Sequence, residues 1–509
     1  MDRGLTGGMI ARSVRWTYAM TAASLAVQLL TAAVLARLLT ATDYGTVAVA
    51  AGALRFLQYL TDLGLGAVVV QKADFRVESD APLVFAFGLG VNAVFAATLW
   101  LAAPLFLLAI PELAGTGLDI LRALAVIGIV GAAGQTARGL LMRRLDFRRL
   151  GIASLAGLAL GQGAVAIPLA LAGFGAWSLV AGLAAQTLAG TVLAFCCAPH
   201  PLLPARTAWP RSRSILSLGS GFSLLRVLDS AGIHLLPLAV GMLAGMAAVG
   251  QWDRAWVLSL LPIEALATGA GKVLFPAFSR LSSDTPRLQR AWLDALALCA
   301  CLLGSVGAGL AVAAPEIVRF VLGSDWPEVH RIVAPLALLA VLRGFAQVTG
   351  SLCEGSGRLR LRGLHQAGYL IVLAGAFAVL RPENGAAIAW LLLSVDFMAQ
   401  AVLIVLAART LRMAPAIPLL RVAVGLSVAP IVAAACAAAM TAVRAVEIAP
   451  AAALAIALGT CAAALFLALA LHPSAMLRMQ ISERLLGQTL GISGTGTGLP
   501  SRLRRFLER

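Results

Sequence analysis

Long apolar runs, separated by short polar stretches, repeat along almost the whole chain. Averaged over windows of about 19 residues, these runs predict fourteen membrane-spanning helices. The first seven cover residues 14–37, 44–70, 82–110, 118–140, 150–174, 176–198 and 215–243. The second seven cover residues 247–275, 291–314, 331–353, 364–380, 384–408, 421–443 and 448–471. A helix crosses the hydrocarbon core with about 17–25 residues, and every run reaches that minimum.

The composition agrees with this pattern. Of the 509 residues, 60% are hydrophobic and only 12% are charged, which is far from the mixture found in soluble domains. So many crossings leave little chain for a soluble domain. The closest pairs of spans meet at Gly173–Gly175 and at Arg381–Gly385, where the number of spans is easiest to miscount. The sequence therefore predicts an all-α polytopic membrane protein.

Basic residues orient the predicted spans. If the N-terminus is cytoplasmic, alternate connections collect most of the 39 Lys and Arg, as the positive-inside rule requires. These connections carry Arg143, Arg144, Arg148 and Arg149, then Arg206, Arg211 and Arg213, then Arg280, Arg287 and Arg290, then Arg358, Arg360 and Arg362. Both termini are therefore predicted to be cytoplasmic. The net charge of +16 then reflects topology and contact with anionic lipid headgroups, and nucleic-acid binding is not expected.

The chain ends and the cysteines carry further expectations. The first apolar stretch is too long for a secretory signal and should stay as the first span. The tail, residues 472–509, is basic, and its end SRLRRFLER is compatible with a surface-lying helix or with a disordered segment. The seven cysteines lie in or beside spans without metal-ligand spacing, which predicts free buried thiols, no disulfide, no metal and no cofactor.

The chain contains a weak internal repeat. Gly250 corresponds to Gly45 at an offset of 205 positions, and residues 332–353 align with residues 120–141 at an offset of 212. A seven-residue insertion accounts for the difference between the two offsets. Such a repeat predicts two six-span halves related by an axis along the membrane normal, which is a transporter pattern with the site between the halves.

Four short stretches resemble one family of transporters. LARLLTATDYGTVAVA (34–49), DLGLGAVVVQ (62–71), GAWSLVAG (175–182) and VLFPAFSRL (273–281) are similar to the polysaccharide and O-antigen flippases of the multidrug/oligosaccharidyl-lipid/polysaccharide exporter superfamily. The resemblance covers residues 10–410 in order. It implies two six-helix bundles, related by pseudo-twofold symmetry, around a central cavity that opens alternately to each side of the membrane.

The resemblance also implies a domain organisation and a substrate. The N-terminal bundle would be residues 1–205, the C-terminal bundle 206–410, two extra helices 411–471, and the cytoplasmic tail 472–509. The substrate would be an undecaprenyl-diphosphate-linked glycan unit, such as an O-antigen, lipopolysaccharide or exopolysaccharide repeat, crossing the bacterial inner membrane. Membrane lipids and the glycan polymerase machinery are the implied partners, and the coupling ion is left open between a proton and sodium. No enzymatic activity is expected.

The charged residues inside the spans are the candidate site residues. The substrate-binding candidates are Arg15, Arg55, Arg226 and Arg343. The last three fall near the bilayer centre, where a charge costs about 2.5–3.5 kcal/mol on insertion scales and should face protein or a wet cavity. The planar guanidinium matches the oxygens of a diphosphate. The ion-coupling candidates are Asp62, Asp229, Glu264 and Asp396.

Structural roles stay open for the same charges. Arg226 and Asp229 are three positions apart on one helix face, where they are able to pair with each other. Arg343 fits either a cavity position or an ion pair with Asp396. The remaining alternatives are a Glu264–Lys272 ion pair, contact of Arg15 with lipid phosphate, and helix packing in place of a proton relay for His234.

Two other functions share part of the pattern. A cation-coupled multidrug exporter of the same superfamily would share the spans and the repeat, but cationic drugs favour acidic cavities. A glycan polymerase or ligase would need a catalytic loop, and the longest connection, residues 314–331, holds acids without a catalytic constellation. The chain also has no HExxH motif, no phosphate-binding glycine loop and no potassium-filter signature. The sequence therefore favours a flippase.

Overall fold

The computed structural model describes residues 7–61, 65–72, 74–144, 146–204, 227–445 and 450–471. This part of the chain folds into helices and contains no β-strand. The first eight helices are α1 (Gly7–Ala36), α2 (Ala41–Thr61), α3 (Leu65–Gln71), α4 (Val77–Leu108), α5 (Thr116–Arg143), α6 (Phe147–Leu171), α7 (Ala176–Cys197) and α8 (Val227–Ala244).

Eight more helices follow in the second half of the chain. They are α9 (Met246–Arg280), α10 (Thr285–Val312), α11 (Ala314–Val321), α12 (Val329–Gly355), α13 (Leu359–Leu380), α14 (Gly385–Thr410), α15 (Ala416–Ala445) and α16 (Pro450–Leu471). The predicted close pairs of spans are confirmed, because tight turns separate α6 from α7 and α13 from α14.

Several of the long helices are locally irregular. A 3₁₀ turn interrupts α4 at Ala103–Leu105, and turns occur at Gly134 in α5 and at Leu235 in α8. In α6 the stretch Ala159–Ala166 is a π-helix. Irregular turns of this kind shift the register of a helix and are frequent near functional sites.

The number of predicted spans is only partly reproduced. Twelve helices of the described chain are long and apolar enough to cross a membrane, whereas the sequence predicts fourteen. The predicted spans 44–70 and 247–275 correspond to α2 with α3 and to α9, which are helical and hold residues outside the described part of the chain. The α-helical membrane fold is therefore confirmed, and the count of fourteen stays a prediction.

The chain divides into two compact units. The first unit contains Met1–Leu258, Val321–Val329 and Gln366–Ile388. The second unit contains Ser259–Phe320, His330–His365 and Ala389–Arg509. The division predicted from the repeat, at residue 205, stays a prediction about the two halves of the sequence.

Two apolar clusters hold the first unit together. One cluster joins α2, α4, α5 and α7 and includes Leu54, Leu99 and Leu124. The other joins α3, α4, α5 and α7 and includes Val68 and Leu140. The clusters occupy opposite ends of the shared helices, because α4 contributes its C-terminal half to the first and its N-terminal half to the second.

Carboxylates cap helix starts at the end where α4 joins α5, called the α4–α5 end below. Thr40 and Asp43 form a reciprocal capping box at the start of α2, with N–O distances of 3.0 and 3.2 Å. The second oxygen of Asp43 accepts from the backbone N–H of Ala176, which begins α7. Glu112 accepts from the backbone N–H of Met246, which begins α9, at 2.7 Å. These bonds fix three helix starts to the loops of the first unit.

The helices α2 and α9 cross at two glycines. A Cβ placed on Gly45 would lie 1.9 Å from the carbonyl oxygen of Met246, and one on Gly250 would lie 1.7 Å from that of Ala41. Both distances are below any possible contact, so the two backbones touch and only glycine fits. The two contacts are reciprocal, since 41 and 246 differ by the same 205 positions as 45 and 250.

A cluster of aromatic and charged side chains adjoins this crossing. The Arg254 guanidinium lies 3.9 Å from the centre of the Tyr44 ring and pairs with Asp253. Trp326 packs edge-on against Tyr44, with ring centres 5.6 Å apart. Its indole N–H donates to the carbonyl oxygen of Ala36, a C-terminal carbonyl of α1 that the helix itself leaves unpaired. The loop before α12 is thereby fastened to α1 and α2.

The opposite end of the first unit is held by buried charges. Lys72 and Asp80 form an ion pair at 3.2 Å, with side chains only 4% and 0% exposed. Arg143 donates to the carbonyl oxygens of Val69 and Lys72 at 2.9 and 2.8 Å, which caps the C-terminal end of α3. These contacts join the short helix α3 to α4 and α5.

The second unit has its own core. Cys301 of α10, Val428 and Val432 of α15 and Ala468 of α16 form a buried apolar cluster. Arg444 of α15 donates to Glu316 of α11 at 2.6 Å. All seven cysteines of the chain are free, as the sequence predicts, although only Cys301, Cys353 and Cys436 are fully buried.

Candidate functional site

The predicted substrate-binding arginines are only partly described. Arg55 lies on α2 and is exposed, and the described residues include no acidic partner for it. Arg343 lies on α12, is half-buried and takes part in a polar interaction. The side chain of Arg15 and all of Arg226 lie outside the described part of the chain. Their role as substrate ligands therefore stays a prediction.

The predicted ion-coupling acids have a similar status. Asp229 on α8 is half-buried, and Asp396 on α14 is only 4% exposed. Both take part in polar interactions, as a charge inside a helical bundle must. Asp62 and the side chain of Glu264 lie outside the described residues. His234 is half-buried and has an interaction partner.

The first unit contains a polar cavity of about 430 Å³. Its volume lies within the range of about 300–1,000 Å³ that is usual for small-molecule sites. Five helices, α2, α4, α5, α6 and α7, contribute to the wall. The lining is rich in amides, hydroxyls and glycines: Gln58, Asn92, Gly131, Ala132, Gln135, Arg138, Ser154, Gln186, Thr187 and Gly190.

The cavity lies between the two apolar clusters of the first unit. On α5 the first cluster includes Leu124 and the second Leu140, and the cavity-lining residues 131–138 fall between them. On α4 the order is Leu99, Asn92 and Leu83. The same order on two neighbouring helices shows that polar side chains form a layer inside an apolar bundle. Polar groups in such a layer must be satisfied by one another, by water or by a ligand.

Arg138 is the one charged side chain among the described residues that line the cavity. Its Nη2 donates to the carbonyl oxygen of Gly131 at 2.5 Å. The guanidinium folds back over Gly134, where an added Cβ would lie 2.7 Å from Nη1. A guanidinium has five N–H donors, and this contact uses one of them. The remaining donors make Arg138 a fixed cationic ligand in the wall of the cavity.

The described lining of the cavity contains no carboxylate. The positive charge of Arg138 is therefore left for an anion that enters with water or with a ligand. Amides and hydroxyls surround this charge, and such groups donate to and accept from sugar hydroxyls equally well. The cavity is thus suited to a ligand that carries both an anionic group and many hydroxyls.

The π-helical stretch of α6 places one of these amides. Gln162 in this stretch donates to the side-chain oxygen of Gln186 on α7 at 3.4 Å, and Gln186 lines the cavity. The two helices approach closely there, since a Cβ on Gly161 would lie 2.3 Å from the carbonyl oxygen of Gly182. The wider π turn thereby brings a second glutamine to the amide that faces the cavity.

The pattern of hydropathy and charge along the sequence does not single out Arg138. It lies two positions before the predicted inner end of the span 118–140, close to Arg143 and Arg144, and it fits the positive-inside pattern equally well. The missed signal is the uncharged amides inside spans, such as Gln58 and Gln186. Buried amides are rare in apolar helices because each must find hydrogen-bond partners.

Comparison with known proteins finds a family of polysaccharide biosynthesis proteins. Residues 34–331 match the family model described as polysaccharide biosynthesis protein. The succinoglycan biosynthesis transport protein ExoT of Rhizobium meliloti (strain 1021) is 27% identical over 335 residues, which cover 65% of this chain and 66% of the relative. The alignment thus spans about two thirds of that relative.

A second relative is more distant but aligns over a slightly larger share. The lipopolysaccharide biosynthesis protein WzxC of Escherichia coli (strain K12) is 21% identical over 352 residues, or 68% of this chain and 70% of the relative. The two relatives share a role in polysaccharide biosynthesis, according to their names.

Solved structures with the same fold are transporters. The inward closed conformation of the lipid II flippase MurJ aligns with 92% of this chain and 99% of its own, with a TM-score of 0.63 and 10% identity. An inward-facing multidrug resistance MATE family transporter of the MOP superfamily covers 78% of this chain and 94% of its own, with a TM-score of 0.55 and 16% identity. At these identities the likeness establishes the fold.

Proposed function

The chain belongs to the family of polysaccharide biosynthesis proteins, and on this premise we propose that it is a flippase that moves a lipid-linked glycan unit across the bacterial inner membrane. The observation that carries the proposal is the guanidinium of Arg138 in a polar cavity whose described lining has no carboxylate. An anionic headgroup with attached sugars supplies the missing negative charge and the hydroxyl partners of the amides.

The proposed mechanism is alternating access without covalent chemistry. The glycan and its phosphate groups leave water and enter a polar chamber, where Arg and amide side chains replace their hydration. The lipid chain stays in the bilayer. The two halves of the sequence then rock against each other and expose the chamber on the other side. The reciprocal contact of Gly45 and Gly250 supports the pseudo-twofold relation of these halves.

Further charged residues are proposed to take part in transport. Arg15, Arg55, Arg226 and Arg343 are proposed substrate ligands, and Asp62, Asp229, Glu264 and Asp396 are proposed coupling residues. A proton or sodium ion would drive the cycle, the glycan polymerase machinery would receive the product, and both termini would be cytoplasmic. The bundles are proposed to divide at residue 205, followed by two extra helices and a basic tail.

The cavity disfavours the multidrug alternative. Cationic drugs need acidic groups to replace their hydration, and the described lining offers a cation instead. Dye efflux in cells that lack lipid-linked glycans separates the two functions. A flippase gives no such efflux, whereas efflux at wild-type rates would favour a drug exporter.

The direct test replaces Arg138 in cells that depend on this protein for surface glycan. Arg138→Gln should lower glycan delivery roughly ten- to hundredfold, since hydrogen bonds to charged groups contribute about 1.5–3 kcal/mol. Arg144→Gln is the matched control, because Arg144 is exposed just beyond α5. Delivery is measured as surface polysaccharide per unit of membrane-inserted protein. Normal delivery by Arg138→Gln would remove the cavity from the transport route.

A further inference from the structure

A groove of about 600 Å³ lies on the surface of the first unit, among α4, α5 and α7. On α5 it is lined by Asp119, Arg122 and Val126, which share one face of the helix. The opposite face of α5 carries Ile120 and Leu124, which are buried in the apolar core. Val126 is 50% exposed. The groove, called the α5–α7 groove below, is therefore open on the outside of the bundle and separate from the polar cavity.

Two opposite charges stand in this groove. Asp119 and Arg122 are one turn apart, and Oδ1 of Asp119 lies 3.8 Å from Nη1 of Arg122. This distance is longer than a hydrogen bond, and the two side chains are 61% and 32% exposed. The Nε of Arg122 is buried and has no hydrogen-bond partner among the described residues. The pair therefore attracts but does not saturate itself, and both groups are able to bind a ligand.

Two tryptophans flank the charges. The Arg122 guanidinium lies 5.6 Å from the centre of the Trp100 ring on α4, and Trp177 lines the groove from the start of α7. Both indoles are partly exposed, at 45% and 38%. Tryptophan is enriched where hydrocarbon meets water, so this part of the groove lies at the level of lipid headgroups. The face of an indole also attracts an ammonium ion.

The lining changes from polar to apolar along two helices at once. Both α5 and α7 begin at the α4–α5 end, and both run from there into the bundle. On α5, Asp119 and Arg122 come before Val126, and on α7, Trp177 comes before Ala184. Charged groups at the membrane boundary, followed by an apolar surface one or two turns deeper, match the order of headgroup and acyl chain in a phospholipid.

We propose that the α5–α7 groove binds one zwitterionic phospholipid whose headgroup ends in a primary ammonium, as in phosphatidylethanolamine. The phosphate would accept hydrogen bonds from Arg122, and the ammonium would donate to the carboxylate of Asp119 beside the indoles. The acyl chains would lie over Val126 and Ala184. The site holds a lipid of the surrounding membrane, so the inference does not depend on which substrate the protein transports.

Charge complementarity favours this lipid over the other common headgroups. An anionic headgroup such as phosphatidylglycerol would pair with Arg122 but offers no cation to Asp119. A choline headgroup has a cation without N–H groups, so it cannot donate a hydrogen bond to the carboxylate. A primary ammonium supplies three donors, and its bond to a carboxylate is charge-assisted. The ethanolamine headgroup therefore satisfies both charges of the groove.

The test measures lipid selectivity and requires neither glycan nor transport. Purified full-length protein in detergent is titrated with phosphatidylethanolamine, phosphatidylcholine or phosphatidylglycerol, and native mass spectrometry quantifies the first lipid bound. The wild-type protein should bind phosphatidylethanolamine about fivefold more tightly than either of the other lipids. This is the effect expected of one partly exposed ion pair.

Substitution of Asp119 should change the selectivity. Asp119→Lys should reverse the preference in favour of phosphatidylglycerol, because the new cation repels the lipid ammonium. Asp119→Asn is a milder variant and should bind phosphatidylethanolamine and phosphatidylcholine equally. Arg287→Gln is the matched control, because Arg287 forms the same kind of pair with Asp284, three positions away, outside the groove. Thermal unfolding of each variant verifies that it is folded.

Each outcome decides the proposal. A wild-type preference for phosphatidylethanolamine that disappears in Asp119→Asn, reverses in Asp119→Lys and persists in Arg287→Gln supports it. Equal binding of the three lipids by the wild-type protein would make the groove an ordinary contact with bulk lipid and overturn the proposal. An unchanged preference in either folded Asp119 variant would overturn it too. A lipid-free dimer that Trp177→Ala dissociates would assign the groove to a second copy of the chain instead.

Discussion

Charged side chains of the first unit occupy two different kinds of environment. Arg138 faces a polar cavity without a described acidic partner, whereas Lys72 and Asp80 neutralise each other in a buried ion pair. The contrast shows that burial of a charge alone does not identify a functional residue. A cation that lacks a counter-ion in the wall of a cavity is the better indicator.

Breaking the Lys72–Asp80 pair should destabilise the protein. Lys72→Met leaves the fully buried Asp80 carboxylate without its cation, and loss of one partner of a buried pair costs about 3–5 kcal/mol. The double variant Lys72→Met with Asp80→Asn should recover at least half of the lost thermal stability, measured by unfolding in detergent. Asp74→Asn is the control, since Asp74 is 69% exposed. Equal stability of the single and double variants would contradict this account.

The sequence could identify some of these residues and not others. The spans and their basic connections follow from hydropathy and charge alone, because the bilayer imposes both. The cavity could not be predicted, because Gln58, Asn92 and Gln186 come from three different helices whose packing is not encoded locally. Arg138 could not be predicted for a related reason. The sequence does not distinguish an arginine that lines a cavity from one that only marks the cytoplasmic end of a span.

Individual helices show what the hydropathy profile leaves out. The helices α2 and α9 correspond to the predicted spans 44–70 and 247–275, but the profile does not reveal that the two helices touch. Both make protein contacts in place of lipid contacts along part of their length, as the crossing of Gly45 and Gly250 shows. Helices that face other helices tolerate polar residues where the partner helix satisfies them. The π-helical stretch of α6 likewise lies at the close contact of α6 with α7.

Alanine at the α2–α9 crossing should destabilise the protein. Gly45→Ala and Gly250→Ala each force a methyl group into a backbone carbonyl, and overpacking of this kind costs about 1–3 kcal/mol. Gly90→Ala on α4 is the matched control, because nothing lies within 4 Å of its added Cβ. The measurement is thermal unfolding in detergent. Wild-type stability of both crossing variants would show that the helices separate without cost.

Removal of the cap on α3 should loosen the end of the bundle opposite the α4–α5 end. Arg143→Gln loses the hydrogen bonds to the carbonyl oxygens of Val69 and Lys72, worth about 1–3 kcal/mol when such groups stay buried and unpaired. The expected result is faster amide hydrogen exchange in residues 65–72. Arg144→Gln should leave the exchange unchanged, and equal exchange in both variants would exclude a capping role.

At the scale of the whole molecule, basic connections predict which side each loop faces. The test uses a variant without the seven native cysteines. In intact spheroplasts, whose inner membrane is sealed, Ser324→Cys before α12 should react with an impermeant thiol reagent, because the loop is proposed to face outward. Ser283→Cys between α9 and α10 should react only after lysis, because Arg280, Arg287 and Arg290 surround it. Both serines are exposed. The reverse labelling pattern would invert the proposed orientation.

The reciprocal crossing of α2 and α9 has a consequence for heredity. Each of these helices carries a glycine that the backbone of the other helix requires. A substitution at either glycine therefore disturbs both helices. Tolerance to substitution at positions 45 and 250 should therefore be equally low in a saturation library, however far the rest of the two halves has diverged.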